Sequence, residues 1–261
     1  MTLLESVFDN AVMGGGVAQI LSLAPVTRHR DDVLAGAGAL SVLPALRDLL
    51  PGGGLQRGCV VTTGDWGLLT LALAAGAVAD GAWCAIAGVP AAGLRAAADA
   101  GLDPDRVVLV PEPGGNWPQV LASLLEGFDV VLLRPPQQPS AQLRRRLEAA
   151  ARRYGSVLVV AGDWPGAQSR LLVTSAQWTG IGAGHGRLRA RRAQVVAAGR
   201  GAGERPRSAW MWLPGPGGAV TALADVSPVI TGITAGAPDA GLGVEPTAGY
   251  LADAEPLASS G

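Results

Sequence analysis

Lysine is absent from this chain of 261 residues, and all twenty basic residues are arginine. The point charge on which a working phosphate-binding loop relies is therefore missing wherever such a loop might stand. Histidine is nearly absent as well. His29 and His185 are the only two, and neither has a Cys, Asp or Glu at ligand spacing, so no metal site and no catalytic histidine are expected. Cysteine is confined to Cys59 and Cys84, without CxxC spacing and each inside an apolar run. They read as small buried hydrophobes in a reducing cytoplasm. Ser140, Ser156 and Ser169 lack an elbow motif around them, which leaves no nucleophile to propose. Net charge is −1, too little for an overall basic field that would draw in nucleic acid.

Leader and membrane signals are missing too. The first basic residue is Arg28, and Glu5 and Asp9 interrupt the start, so no signal peptide is expected. Residues 68–90 are the one stretch that could be mistaken for a membrane span. Asp80 and Gly81 split it into a helix-length and a strand-length half, which suits a buried βαβ unit and predicts no membrane partner.

What is present is an ample core: 49% of residues are hydrophobic. Five short apolar runs, at 59–63, 83–87, 107–110, 130–133 and 157–161, alternate with helical stretches. That rhythm predicts an α/β fold with a mostly parallel sheet flanked by helices. Residues 140–154 show the clearest amphipathic helix, with Leu143, Leu147, Ala150, Ala151 and Tyr154 on one face and arginines elsewhere. Beyond Ala161 the runs at 171–178, 187–198 and 209–213 predict strands joined by glycine-rich turns, an antiparallel C-terminal extension of the sheet. The glycine run from Gly180 to Gly186 has the wrong spacing for a dinucleotide fingerprint and is read as a turn. The expected division is a 1–42 N-terminal segment, a domain over 43–220, and a disordered acidic tail over 221–261, where Pro, Gly and Ala dominate and no period is sustained.

One segment carries the layout of a phosphate-binding site. The run 57–73 reads as strand, glycine turn and helix, with Gly64-Asp65-Trp66-Gly67-Leu68-Leu69 at its turn. Two residues separate the glycines against four in the full motif, and Leu68 and Leu69 stand where the lysine and hydroxyl belong. The loop is too short to wrap its N–H groups around a triphosphate, and no cofactor is expected. Positive charge is instead local. Arg187, Arg189, Arg191 and Arg192 lie on one predicted strand, where the first three share a face opposite Leu188 and Ala190, as a row that could meet DNA phosphates or an acidic partner.

The order of landmarks resembles a bacterial RecA core. Leu49-Leu50-Pro51-Gly52-Gly53-Gly54-Leu55-Gln56-Arg57-Gly58 is similar to the segment leading into the RecA P-loop, and Gly101-Leu102-Asp103-Pro104-Asp105-Arg106 to the connection into its third strand. Phe128-Asp129 and the apolar run after it stand where its Walker B strand stands. A closer resemblance is to the ImuA family, RecA-like accessory proteins of the mutasome, in its actinobacterial form. Leu4-Glu5-Ser6-Val7-Phe8-Asp9, Leu23-Ala24-Pro25-Val26-Thr27-Arg28, the stretch Gly184 to Arg192, and Trp210-Met211-Trp212-Leu213-Pro214 carry it, and it covers about residues 3–217.

The resemblance implies a degenerate RecA-like domain. Leu68 takes the Walker A lysine position, and Arg134 replaces the Walker B aspartate and brings positive charge to the place of the metal ion. Gly88 and Val89 stand near the position of the catalytic glutamate. The connections 134–140 and 162–170 are too short for the DNA-holding loops of the recombinase. The implied function is a non-catalytic adaptor for ImuB, a Y-family polymerase relative, in SOS-linked error-prone translesion synthesis, with DNA contact weak. Two other readings stay open: a SulA-like cell-division inhibitor, and a residual ATP- and DNA-binding recombinase.

Overall fold

The computed structural model describes residues 38–89, 94–182, 185–199 and 206–223. Nine strands form one sheet. In chain order they are β1 (Val60–Thr63), β2 (Cys84–Ala87), β3 (Val107–Val110), β4 (Val130–Leu133), β5 (Val157–Ala161), β6 (Ser169–Gly182), β7 (His185–Ala198), β8 (Arg207–Trp212) and β9 (Thr221–Ala222). The helices between them are α1 (Leu68–Ala79), α2 (Leu94–Asp99), α3 (Trp117–Gly127) and α4 (Ala141–Tyr154). The strand order is β3-β2-β4-β5-β1-β6-β7-β8-β9. All pairs from β3 to β6 are parallel, and those from β6 to β9 are antiparallel. The α/β class, the helix-flanked parallel sheet and the antiparallel extension are thus as the sequence predicts.

Strands β1, β2, β4 and β5 are buried at every position, which is why they read as continuous apolar runs rather than alternating ones. Their side chains divide between two cores. On one face Val61, Cys84, Ile86, Val130, Leu132 and Val159 pack against α1 and the 3-10 turn Pro44–Leu49. On the other, Val60, Ala85, Val131, Leu133, Leu158 and Val160 meet Trp117, Leu121 and Leu125 of α3 and Leu147 and Ala151 of α4. The second face ends at β1. Strands β7 and β8 send Ala193, Val195, Ala197 and Met211 into the first core only, so the opposite side of the extension lacks a helix among the described residues.

Helix α4 begins where expected. Ser140 is its N-cap, its hydroxyl accepting from Leu143 N at 3.2 Å, and Gly155 ends it in the left-handed region at φ 67°. At the amino end of the sheet Asp129 is buried, pairs with Arg57 at 3.1 Å and accepts from Trp83 N at 3.0 Å. This clamp ties β4 to the turn before β1 and to the start of β2.

Two boundaries differ from the sequence reading. The domain core begins before residue 43, because Leu40 bridges to Leu55 and both Leu40 and Val42 are buried. It also runs past residue 220, since Thr221 and Ala222 form β9 on β8 and Leu223 N donates to the Trp210 carbonyl. Both extensions rest on backbone pairing, which leaves no apolar period in a sequence. Most of the expected N-terminal segment and the expected tail beyond Leu223 lie outside the described residues, as does the motif around Leu4 to Arg28.

Candidate functional site

The loop at residues 64–67 follows β1 and leads into α1, at the carboxyl end of the parallel strands, where folds of this class place their ligands. Its geometry is that of a sealed turn. Leu69 is buried in the first core, and the half-buried Leu68 and Trp66 pack against the same cluster. The residues in the lysine and hydroxyl places of a P-loop are therefore packing groups.

The next residue, Thr70, carries the one hydroxyl in the first turn of α1, and it is fully buried. Its Oγ1 lies 2.8 Å from Thr63 Oγ1, and the two hydroxyls are 3.3 and 3.4 Å from the Asp65 carbonyl. With one proton each, one hydroxyl donates to its neighbour and the neighbour donates to the carbonyl. Strand end, loop and helix are stapled together by this triangle, and an oxygen that could have faced a ligand is committed inward. From the other side, a Cβ at Gly64 would come within 3.0 Å of Leu172 Cδ2, so β6 closes on the loop. Gly67 sits at φ 175°, extended backbone that any residue adopts. The second glycine of the motif thus has no conformational task here.

Arg134 stands exposed immediately after β4, its N–H donating to the Ala87 carbonyl at 3.0 Å. Across from it Gly88 has φ 78°, and a Cβ there would meet the Arg134 carbonyl oxygen at 2.1 Å. The backbones of β2 and β4 approach so closely at this point that a glutamate at residue 88 is sterically excluded. Near β5, Arg170 and Asp163 form an exposed ion pair at 3.5 Å. Among the described residues no group of three or more His, Cys, Asp and Glu side chains could hold a metal ion. A small cavity of about 320 Å³ lies by the Arg57–Asp129 clamp, lined also by Ser41 and Asp80. It is at the amino ends of the strands, away from the loop.

Cys59 and Cys84 are buried, as expected for hydrophobic packing. Burial pushes the Cys59 thiol up to about 12 against its own and the Gln56 backbone hydrogen bonds. Burial likewise pushes Cys84 far up, helped by the nearby Asp129 charge.

The arginine strand has a quite different setting. β6 is bonded to β1 only over Ser169 to Leu171, and β7 to β8 over Arg192 to Ala197. Arg191, opposite Trp178, still exchanges backbone hydrogen bonds with Leu213 and Pro214, and past it β6 and β7 pair only with each other, Thr179 opposite Ala190, as a two-stranded arm. The glycine run is not all turn, which corrects the sequence reading. Ile181 pairs with Gly186 and Gly182 with His185, because a bulge takes up the irregularity and lets the ladder resume beyond it. Between those pairs and Thr179–Ala190, Gly180 alone stands against Arg187, Leu188 and Arg189, a bulge on β7, and its φ of 108° and the Arg187 carbonyl, 2.2 Å from where a Cβ would sit, demand glycine.

Residues 174–180 and 187–189 of the arm are exposed, including Trp178 at 50% and Leu188 at 47%. Arg191 stands directly opposite Trp178 of β6, and Arg187 and Arg189 are exposed in the bulge just beyond that pair. The Arg191 guanidinium lies 5.8 Å from the Trp178 ring centroid. Arg192, on the opposite face, stacks over Trp210 at 4.8 Å. The Nε atoms of Arg191 and Arg192 are buried without a hydrogen-bond partner. The ion pairs among the described residues involve other arginines, so this cluster meets no carboxylate there. Sequence reading found the arginines but not Trp178, whose place depends on cross-strand register, nor the Thr63–Thr70 staple. Two threonines astride a glycine turn were the available signal for the latter.

Three comparisons relate the chain to known proteins. A family model described as the MT3502 N-terminal domain matches residues 48–166. An uncharacterised protein of Mycobacterium tuberculosis, Rv3395c, is 37% identical over 128 residues, a match covering 48% of this chain and 63% of that protein's length. Among solved structures, the KaiC-like protein PH0186 from Pyrococcus horikoshii is 14% identical with a TM-score of 0.47, over 72% of this chain and all of that one. Among the described residues no helix is long and apolar enough to cross a membrane.

Proposed function

We propose that this chain is a non-catalytic RecA-like adaptor that has given up nucleotide chemistry and works by holding a protein partner. The observation that carries the reading is the sealed loop. Leu68 and Leu69 pack into the core, Thr70 bonds inward, and Arg134 brings positive charge where a magnesium ion would need an acidic ligand. Each change removes a different requirement of phosphoryl transfer, namely the phosphate charge, the metal-ligating oxygen and the acidic support. A scaffold kept without its chemistry is best explained by what docks on it.

The finer reading follows the family resemblance. The partner is an ImuB-type relative of the Y-family polymerases, and the setting is the SOS mutasome, where the assembly supports error-prone translesion synthesis and induced mutagenesis. The relation to an actinobacterial protein is compatible with it. Two experiments test the two levels separately. Calorimetric titration with Mg-ATP is expected to give no binding heat, and a low-micromolar dissociation constant would overturn the loss of nucleotide chemistry. Affinity capture from DNA-damaged cells, read by mass spectrometry, is expected to recover the polymerase relative. Recovery of a tubulin-like division protein in its place would select the SulA-like reading.

A further inference from the structure

We propose that the β6–β7 arm is a binding surface for single-stranded nucleic acid, with Trp178 stacking a base and the arginines around it meeting phosphates. The arm joins three properties that a polyanion with exposed rings requires. It carries four arginines within six residues of one strand, with no carboxylate paired to them among the described residues. A half-exposed tryptophan paired with Arg191, close to the bulge that exposes Arg187 and Arg189, supplies an open aromatic plane. Two of the cations are already held against indole rings, Arg191 on Trp178 and Arg192 on Trp210, which fixes their planes for stacking or for bidentate phosphate contact.

The same features favour a single strand over a duplex or an acidic protein. Bases in a duplex are already stacked and offer Trp178 nothing, whereas an unpaired base has a free face. An acidic peptide would satisfy the guanidinium groups but leave the ring, the most exposed large apolar side chain of the described residues, unused. The site is independent of the proposed polymerase partner and lies on a different element from the sealed loop.

The test is fluorescence anisotropy of a labelled oligothymidylate titrated with the full chain over a series of salt concentrations, with quenching of tryptophan emission as a second readout. Binding at low salt that weakens steeply as salt rises is expected, with each phosphate contact contributing about −0.7 to the log–log slope. The double variant Arg187→Ala/Arg189→Ala should lose about 1.4 from that slope, and Trp178→Ala should weaken binding roughly 5- to 100-fold while Trp178→Phe retains most of it. All three side chains changed are exposed, and matched circular dichroism melts check that the variants fold. Arg145→Ala/Arg146→Ala, on the exposed face of α4, should leave binding unchanged. The proposal is overturned by absence of oligonucleotide binding at low salt, by equal or tighter binding of duplex, by tighter binding of polyglutamate than of oligothymidylate, or by arm variants that bind like the parent.

Discussion

The loop after β1 and the β6–β7 arm hold opposite relations between charge and burial. At the loop the residues in the lysine and hydroxyl places are apolar, and the hydroxyls of Thr63 and Thr70 turn inward and satisfy each other. On the arm the cations project from a ladder that buries little, and their neighbours are aromatic rings rather than carboxylates. The difference teaches that substitutions at the loop act on stability, while substitutions on the arm act on recognition. Mutations can test that division directly, since a residue serving packing and one serving binding fail in different assays.

The largest effect is expected from Gly88→Glu, which places an acidic side chain at the end of β2. Its Cβ would meet the Arg134 carbonyl at 2.1 Å and its φ of 78° is unfavourable for a side chain. A loss of about 4 kcal/mol or more, or roughly 8–16 °C in melting temperature, should follow in a thermal melt. Stability unchanged by this variant would mean that the strand ends are not packed as described, and the loop would no longer contrast with the arm.

Next is the hydroxyl staple. Thr70→Val should cost about 1–3 kcal/mol in urea unfolding, because it strands a buried partner. Thr63→Val/Thr70→Val should cost less than the sum of the two single changes, since the pair is removed together. Leu68→Lys should lose part of the packing without creating Mg-ATP affinity, for the metal ligand and loop length would still be wrong.

The buried thiols give a pH dependence confined to the body of the domain. With Cys59 raised from its ordinary 9.0 to about 12, its contribution is fully present below pH 9 and is lost as pH rises toward 12. Urea midpoints should therefore fall through that window, and less so in Cys59→Ala. In native protein at mildly alkaline pH both cysteines should resist iodoacetamide, whereas unfolded chain should take up label at both. The smallest stability effect belongs to the arm. Arg187→Ala/Arg189→Ala should move the unfolding free energy by no more than about 0.5 kcal/mol while changing oligonucleotide binding, which is the sharpest form of the contrast.

The buried half of the molecule was the more legible in its sequence. Val130 to Leu133 and Val157 to Ala161 are enclosed on both faces, so nothing but apolar residues fits there, and the run itself announces the strand. Leu68 and Leu69 stand out in the sequence because the phosphate-binding motif they interrupt has fixed spacing. The arm was legible only as strands. That it leaves the body depends on where β1 and β8 stop pairing, and that Trp178 stands opposite Arg191 depends on a register reset by bulges at Val173/Ser175 and Thr179/Ile181. Neither is a property of one segment, so no periodicity within a segment could reveal it.

The unequal lengths of the strands have one more consequence. Four residues make up each of β1 to β4, whereas β6 and β7 have fourteen, roughly 46 Å if fully extended at about 3.3 Å per residue. The outer half of the arm shares backbone hydrogen bonds with nothing but its own partner strand, so its opening need not await the unfolding of the sheet. Amide protons there should exchange with solvent as a separate, low-energy unit, while those of β4 and β5 exchange only with the whole domain. A ligand gripping both strands of the arm would close that unit and slow its exchange, so occupancy can be read site by site without any reporter attached to the ligand.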